Sequence, residues 1–449
     1  MLVVVVRHAS LVTPVTPLMQ SPQFEAPRAR SRADALIKSH INALPLEIFG
    51  TIFILSLSSD KKIDGRPIWR DPLPFCAVSS LWRSVALATP QLWQHVRVPR
   101  CMFRMTDKSK AQELVLWIER SGTLPLTLFI PHVSLSRAET VDPIVELLDC
   151  YASRWETVCF QDYSFLNLLE FFRPEKWSSL RRMHGARSCD IINQWAQLTH
   201  LHICDRVHSS QAIGIFKGCL RLVWLSLNIY GESPTVPTPP IVIYDLSFLS
   251  LSATNLSAII QSISLPSLRE ICVRNTAPSF INPGLLKSFP HLLTRSACTL
   301  DKLCMRSVPP RPNDLIQILA HRSCNSLTSL TISQWSAVDE SLLISNGVLR
   351  RLTLGRDDSV CTHLKYLSLA SYTSLAALPN MVESRICSDS GQLSEVLLEE
   401  LEVVLDNFDH GQKLHEIVEK SGMEYRFGVA HPERGARTKY LTVSRRVVL

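Results

Sequence analysis

Nothing in this chain is long and apolar enough to suggest a membrane span: no apolar run reaches the roughly 18 residues that one needs. The Cys-x-x-Cys pair that brings metal ligands together is absent too, although there are 13 cysteines. No Gly-x-Gly-x-x-Gly or Walker-type phosphate loop occurs, nor a Gly-x-Ser-x-Gly elbow, nor a His-Glu-x-x-His zinc pair. These gaps argue against nucleotide-dependent, serine-hydrolase and zinc-hydrolase chemistry, and no cofactor is expected. Charge is sparse at 19%, and the net +7 is mild for 449 residues. Basic residues gather at 97–110 and 434–446, yet neither stretch shows a nucleic-acid motif with interleaved aromatics. An odd number of scattered thiols suits a reducing compartment, so a cytoplasmic or nuclear protein is expected.

What is present is a globular composition, 46% hydrophobic, long enough for several domains. Residues 1–39 hold Pro14, Pro17, Pro22 and Pro27 and read as a flexible leader. Residues 40–98 read as a small helical unit. Leu44-Pro45 opens a helix, proline being tolerated in a first turn. Phe49, Ile52, Phe53 and Leu57 then recur near the helical period as a buried face. A second helix is expected to carry Phe75, Val78, Trp82 and Val85 on one stripe, with a long loop at 58–72 before it. Thr89-Pro90 ends that helix and begins a turn holding Leu92 and Trp93.

Leu-Pro-x-Glu-Ile at 44–48, Val-Ser-x-x-Trp-Arg at 78–83 and Pro-x-Leu-Trp at 90–93 resemble the F-box, and more closely the F-box-like variant of mushroom-type fungi. F-box proteins are substrate receptors of cullin–RING ubiquitin ligases. The resemblance implies a Skp-type adaptor as partner, docked on Leu44, Pro45, Glu47, Ile48, Val78 and Trp82. About 55 helical residues bury little surface alone, which also suits a unit that needs a partner.

Residues 99–150 read as a connector and an N-terminal cap, with a helix at 111–120 and a strand at 124–130. From 151 to 380 one pattern recurs: apolar, two variable residues, apolar, one variable, apolar. It runs through Trp155-Val158-Phe160, a degenerate Leu180-Met183-Gly185, Leu198-Leu201-Ile203, Leu222-Leu225-Leu227 and Leu246-Leu249-Leu251. It continues through Leu268-Ile271-Val273, Leu300-Leu303-Met305, Leu327-Leu330-Ile332, Leu349-Leu352-Leu354 and Leu364-Leu367-Leu369. Starts lie mostly 18 to 32 residues apart. Each closing apolar-x-apolar gives a strand with one buried face, and helices are expected at 211–217, 256–262, 314–320 and 340–345. One strand and one helix cannot bury their own apolar face, so neighbours must stack. The pattern resembles irregular leucine-rich repeats of the kind found after F-boxes.

The expected fold is therefore α+β and multidomain, a small all-α F-box-like unit followed by an irregular α/β leucine-rich-repeat solenoid. Residues 381–449 would cap it, with an amphipathic helix at 393–407, a second helix at 414–420 ended by Gly422, and a basic tail. On the concave face, His202, Trp224, Arg274, Lys302, Arg306 and Arg351 are the candidate target contacts, with His200 and Tyr366 beside them. Later copies add Arg and Lys with little acid, which suits an acidic or phosphorylated partner protein. The reading is a non-catalytic receptor subunit; the alternative is a repeat scaffold with no ligase role. A third, Val-Val-Arg-His at 5–8, resembles the start of histidine phosphatases with His8 as nucleophile, but lacks that family's following α/β context.

Overall fold

The computed structural model describes residues 44–57, 62–63, 66–67, 71–98, 108–130, 142–160, 175–186, 195–231, 236–253, 256–276, 284–307, 312–333, 344–371, 375–386, 398–405, 413–414, 416–417, 419, 424–430 and 438–444. The leader with His8 lies outside them. The chain divides into a small unit, Met1–Ser58 with Asp71–Ala88, and a large one, Ser59–Arg70 with Thr89–Leu449.

The small unit is helical. Its first helix, α1 (Leu46–Leu57), starts where Pro45 directs it, the Pro45 carbonyl accepting the N–H groups of Ile48 and Phe49 at 3.0 and 3.2 Å. Its core is aromatic: Phe53 stacks on Phe75 with ring centroids 4.4 Å apart, and Trp82 packs at 5.0 Å from Phe53 and 5.9 Å from Phe49. The sequence reading expected one second helix, but there are two, α2 (Leu73–Val78) and α3 (Ser80–Leu87). Ser79 separates them in an extended conformation, and its hydroxyl accepts the Trp82 N–H at 3.2 Å as an N-cap. That break removes Val78 from the Phe75–Trp82–Val85 stripe and leaves it exposed. Ile52, assigned to the buried face, is exposed as well, because Phe49 and Phe53 turn the other side of α1 inward.

The large unit is mixed α/β. A short antiparallel pair joins β1 (Lys62–Ile63) to β2 (Arg66–Pro67). Among the described residues its main sheet has fourteen strands. Twelve run parallel, each beside the next in the chain: β3 (His95–Arg97), β4 (Leu126–Ile130), β5 (Trp155–Phe160), β6 (Arg182–Ala186), β7 (His200–His208), β8 (Trp224–Tyr230), β10 (Phe248–Ala253), β12 (Glu270–Asn275), β13 (Lys302–Arg306), β14 (Ser329–Ser333), β15 (Tyr366–Ser371) and β16 (Glu400–Leu405). Beyond them β18 (Thr438–Ser444) pairs antiparallel with β16, and β17 (Glu424–Ala430) with β18. The short strands β9 (Ile241–Val242) and β11 (Ile263–Ser264) form a separate parallel pair. Helices α4 (Lys108–Arg120), α5 (Asp142–Cys150), α6 (Ser209–Gly218), α7 (Ser257–Gln261), α8 (Gly284–Ser296), α9 (Pro312–Leu319), α10 (Asn346–Leu352) and α11 (Leu378–Ile386) lie in the connections.

The recurrent apolar pattern generates this sheet. Its two closing positions align across strands into continuous buried rows. One runs Leu201, Leu225, Leu249, Ile271, Leu303, Leu330, Leu367, Leu401, and the next Leu227, Leu251, Val273, Met305, Ile332, Leu369, Val403. Just before each strand, one carbonyl accepts two successive N–H groups of the next copy. Thr199 receives Val223 and Trp224, Val223 receives Ser247 and Phe248, and Ser247 receives Arg269 and Glu270. The degenerate copy ends in glycine for a steric reason. Gly185 sits at φ +80° in a register shift between His184 and Ala186, where a side chain would run into the Phe160 carbonyl.

Two assignments are corrected. Leu349-Leu352-Leu354 was expected as a repeat strand, yet 346–352 is α10, started by the Ser345 hydroxyl accepting the Val348 N–H at 3.3 Å. Leu349 and Leu352 are three apart, a spacing that also fits one helix face, and the N-cap decides for the helix. The helix expected at 340–345 falls mostly outside the described residues, and Ile344 and Ser345 are not helical. Conversely, 393–407 was expected as an amphipathic helix, but Glu400–Leu405 is strand β16. Leu398, Leu401 and Val403 repeat the apolar pattern once more, and pairing with β15 settles that short segment as a strand. In the cap, Lys413, Leu414, Glu416, Ile417 and Glu419 are helical, and Gly422 lies outside the described residues.

Arginines finish several helices. The last carbonyls of a helix have no partner of their own. Arg83 donates through Nε to Cys76 O of α2 at 2.9 Å. Arg154 reaches Ile118 O of α4 and Leu124 O at 3.4 and 3.0 Å, and Arg295 reaches Ile260 O of α7 at 2.8 Å and Ile263 O at 3.0 Å. Arg385, fully buried, donates to Leu352 O of α10 at 2.6 Å and to Val360 and Cys361 O at 3.1 and 3.2 Å. Burial pulls the pKa of Arg154 and of Arg295 below the usual guanidinium value. Arg385→Met keeps the side-chain length but strands these acceptors; we expect a loss of about 2–4 kcal/mol in chemical unfolding, with no rescue by Arg385→Lys. An unchanged unfolding midpoint would remove the clamp from the account.

His95 on β3 packs against Phe129, 6.2 Å between ring centroids, and burial lowers its pKa from 6.5 to about 4. Between those values the unfolded chain binds a proton that the folded chain does not. Stability present above pH 6.5 is therefore lost as pH falls toward 4, by up to about 3 kcal/mol. His95→Leu should flatten that slope relative to the parent when unfolding is followed across the same pH window.

Candidate functional site

Two surfaces collect the residues singled out by sequence. The first belongs to the helical unit. Ile48, Ile52 and Leu55 occupy positions i, i+4 and i+7 of α1, within about 60° of arc, and are 47%, 45% and 65% exposed. The inward face of the same helix carries Phe49 and Phe53. Thus α1 is apolar on two sides, and one of them meets solvent, which is uncommon for a helix lacking a partner. Leu44 and Leu46 at its start, Leu73 and Val78 on α2, and Leu87 at the end of α3 add to the exposed apolar surface of this unit.

Of the six residues proposed to hold an adaptor, Leu44, Pro45, Glu47, Ile48 and Val78 are exposed. Trp82 is not free in the same way: it is half-buried in the cluster of Phe49, Phe53 and Phe75. It shapes the unit from within. Sequence reasoning missed Ile52 and Leu55 as surface residues. The signal was the excess of apolar residues on α1, more than one buried stripe can use.

The second surface is the outward face of the sheet. Its side chains line up in rows because the strands are in register. Along the first row lie Arg182, His200, Trp224, Phe248, Glu270, Lys302, Ser329, Tyr366 and Glu400; along the next, His184, His202, Ser226, Ser250, Cys272, Cys304, Thr331, Ser368 and Glu402. Three chemical zones result. Around β7 to β10, the Trp224 and Phe248 rings stack at 4.8 Å and 4°, with His202 edge-on to Trp224 at 6.0 Å. Around β12 and β13, Arg274 and Arg306 are direct register partners. Around β15 and β16, Thr331, Tyr366, Ser368, Glu400 and Glu402 line a shallow pocket, and Ser368 donates to Glu402 at 2.9 Å. Beside it Glu399 accepts from Lys365 Nζ and Tyr366 OH, both at 2.8 Å. Those two bonds hold the Glu399 carboxyl below the usual range, and the same bond raises the Tyr366 phenol.

This arrangement alters the expected charge of the face. His202, Trp224, Arg274, Lys302 and Arg306 all lie on it. Lys302, however, is spent on Glu270 at 2.7 Å. Arg351 is not on the face: it sits on α10, where its guanidinium bridges to Asp358 at 2.9 Å. Arg351 and Arg356 together lower the Asp358 pKa. The last parallel strand, β16, adds Glu400 and Glu402, which were hidden while that segment read as a helix. Acid is therefore present in the later copies, and of the expected basic contacts Arg274 and Arg306 keep the face positive, with Arg206 in the same register row. His200 and His202 flank Leu201 as expected, with His200 Nδ1 2.9 Å from Thr199 Oγ1. Among the described residues no group of three or more His, Cys, Asp or Glu could hold a metal ion, and no helix is long and apolar enough to cross a membrane.

If α1 is apolar on two sides for different reasons, the two sides should respond differently to mutation. Ile48→Asp/Ile52→Asp/Leu55→Asp should cost the isolated chain less than about 1 kcal/mol, since none of the three is in the core. Trp82→Ala should cost about 3 kcal/mol or more, through the cavity it opens between the phenylalanines. Thermal unfolding followed by circular dichroism separates these outcomes. No known protein-family model matches the chain, and no curated protein matches it in sequence.

Proposed function

We propose that this protein is the substrate-receptor subunit of a cullin–RING ubiquitin ligase of the SCF type. In this reading the helical unit is an F-box-like module that binds a Skp-type adaptor, and the large unit is an irregular leucine-rich-repeat array that holds a target protein. Transfer of ubiquitin is left to other subunits, so the chain itself is not an enzyme. The observation that carries the reading is the exposed apolar stripe of α1, Ile48, Ile52 and Leu55, directly after the Leu44-Pro45-x-Glu47-Ile48 motif. A stripe of this kind gains by being covered, at roughly 25 cal/mol for each Å² of apolar surface removed from water.

Two features of the large unit support a binding role over a purely architectural one. The stacked Trp224–Phe248 pair offers a flat aromatic platform of the type that anchors interfaces. The neighbouring Arg274 and Arg306 offer paired guanidinium groups suited to a carboxylate or phosphate on the target. A repeat scaffold with no ligase role would use the same face and leave the α1 stripe without a purpose.

Co-expression with a Skp-type adaptor and affinity purification tests the reading. The parent chain should bring the adaptor down, and Ile48→Asp/Ile52→Asp/Leu55→Asp should reduce recovery by at least about tenfold, as loss of a small apolar anchor set implies. Because that variant keeps the unit's core, lost recovery reports docking and not unfolding. A parent chain that does not bind, or a variant that binds equally well, rules the ligase role out.

A further inference from the structure

The cysteines are the one reactive residue type that the proposed receptor role leaves unused. Ten cysteines lie among the described residues as thiols, and five of them are buried in the core. Burial raises the thiol pKa of Cys219 and Cys361 to about 12, which leaves them inert. Cys272 and Cys304 differ. They occupy equivalent outward positions on β12 and β13, in direct register, and both are only half-buried. The Cys272 thiol donates to Cys304 Sγ across 3.2 Å. Neighbouring strands lie about 4.8 Å apart, inside the range of roughly 4.4–6.8 Å between Cα atoms that a disulfide spans. Bond formation therefore needs the sulfurs to close by about 1.2 Å, and small side-chain rotations supply it without moving a strand.

The surroundings favour a thiolate. Two residues further along each strand, Arg274 and Arg306 flank the pair, while Glu270 and Lys302 on the other side neutralise each other at 2.7 Å. The flanking strands present only Ser250 and Thr331 at this level. The hydrogen bond from Cys272, with help from the two arginines, lowers the Cys304 pKa to about 6. The same interaction raises that of Cys272, so the pair gives up its first proton easily and keeps its second.

We propose that Cys272 and Cys304 form a peroxide-oxidisable dithiol on the outward face of the sheet, which closes into a reversible disulfide between β12 and β13. The oxidant is a hydroperoxide. The Cys304 thiolate attacks one peroxide oxygen; an S–O bond forms, the O–O bond breaks, and the departing oxygen takes a proton to leave as water or an alcohol. Sulfur loses two electrons and the peroxide gains them. The Cys272 sulfur then attacks Cys304 Sγ, the S–S bond forms, and the hydroxyl of the sulfenic acid leaves with the Cys272 proton as water.

The full-length chain can be treated with equimolar hydrogen peroxide, alkylated, digested with trypsin and read by mass spectrometry. Cleavage after Arg269, Arg274, Lys302 and Arg306 releases 270–274 and 303–306 as short peptides with one cysteine each. They should be recovered disulfide-linked, at a rate at least about tenfold above oxidation of the exposed Cys150, and dithiothreitol should separate them. In Cys272→Ser, which removes the resolving sulfur, Cys304 should accumulate as a sulfenic acid trapped by dimedone. Failure to recover the linked pair, oxidation of Cys150 at an equal rate, direct passage to sulfinic acid, or linkage between two chains would each overturn the proposal.

Discussion

Hydrogen bonds between successive strands are what the large unit cannot do without. A single copy of the apolar pattern has one strand, and a strand by itself leaves its N–H and C=O groups unpaired. The main sheet resolves this by adding each strand beside the previous one in chain order, in parallel, from β3 to β16. The turn before each strand joins the same chain of dependence, since Thr199, Val223, Ser247, Arg269, Asp301, Thr328 and Lys365 each accept two N–H groups from the next copy. In-register pairing then fixes side-chain alternation, and alternation separates the leucine rows from the outward rows. The outward chemistry is thus a by-product of backbone pairing. Trp224 meets Phe248, and Cys272 meets Cys304, because the ladder admits no other register without turning leucines into solvent.

Connections between strands are where the sequence is least regular, and they create a second demand. Helices such as α4, α7 and α10 end with carbonyls facing into the protein, where water is scarce. Arg154, Arg295 and Arg385 each come from a later segment and supply several N–H donors in a planar fork. An arginine suits this task because its donors reach two or three carbonyls at once and its positive charge lies at the negative end of a helix dipole. The clamps tie one connection to the next, so the helical layer is cross-linked by polar contacts while the sheet is cross-linked by its ladder.

These facts explain how much could be read beforehand. Period-two apolar pairs such as Leu225-Leu227 announced strands, because burial of one face is a local demand written in neighbouring residues. The helix starting at 209 was legible for a similar reason, and so was the turn holding Leu92 and Trp93. Ambiguity arose where spacing satisfies two periods. Leu349 and Leu352 fit a helix face as well as a repeat, and Leu398, Leu401 and Val403 were masked by surrounding glutamates that made an amphipathic helix plausible. The clamps of Arg154, Arg295 and Arg385, the Trp224–Phe248 stack and the Cys272–Cys304 contact were illegible, since each joins residues some 24 to 36 positions apart that only the stacking of successive copies brings together. In the helical unit, Ser79 decided the outcome. A serine in mid-pattern is unremarkable in a sequence, yet as an N-cap it splits the helix and sends Val78 outward.

The two units handle apolar surface in opposite ways. In the large unit, strand after strand covers the leucine rows of its neighbour, and the sheet continues past β16 into the antiparallel pair β18 and β17. The small unit has no such repetition. Among the described residues its three helices pack around Phe49, Phe53, Phe75 and Trp82 and leave a second stripe on α1 exposed. Retaining Ile48, Ile52 and Leu55 there costs solubility and adds nothing to the unit's own core. That imbalance is the physical argument for a partner: a helix whose inner face already suffices for folding carries an outer face suited to binding.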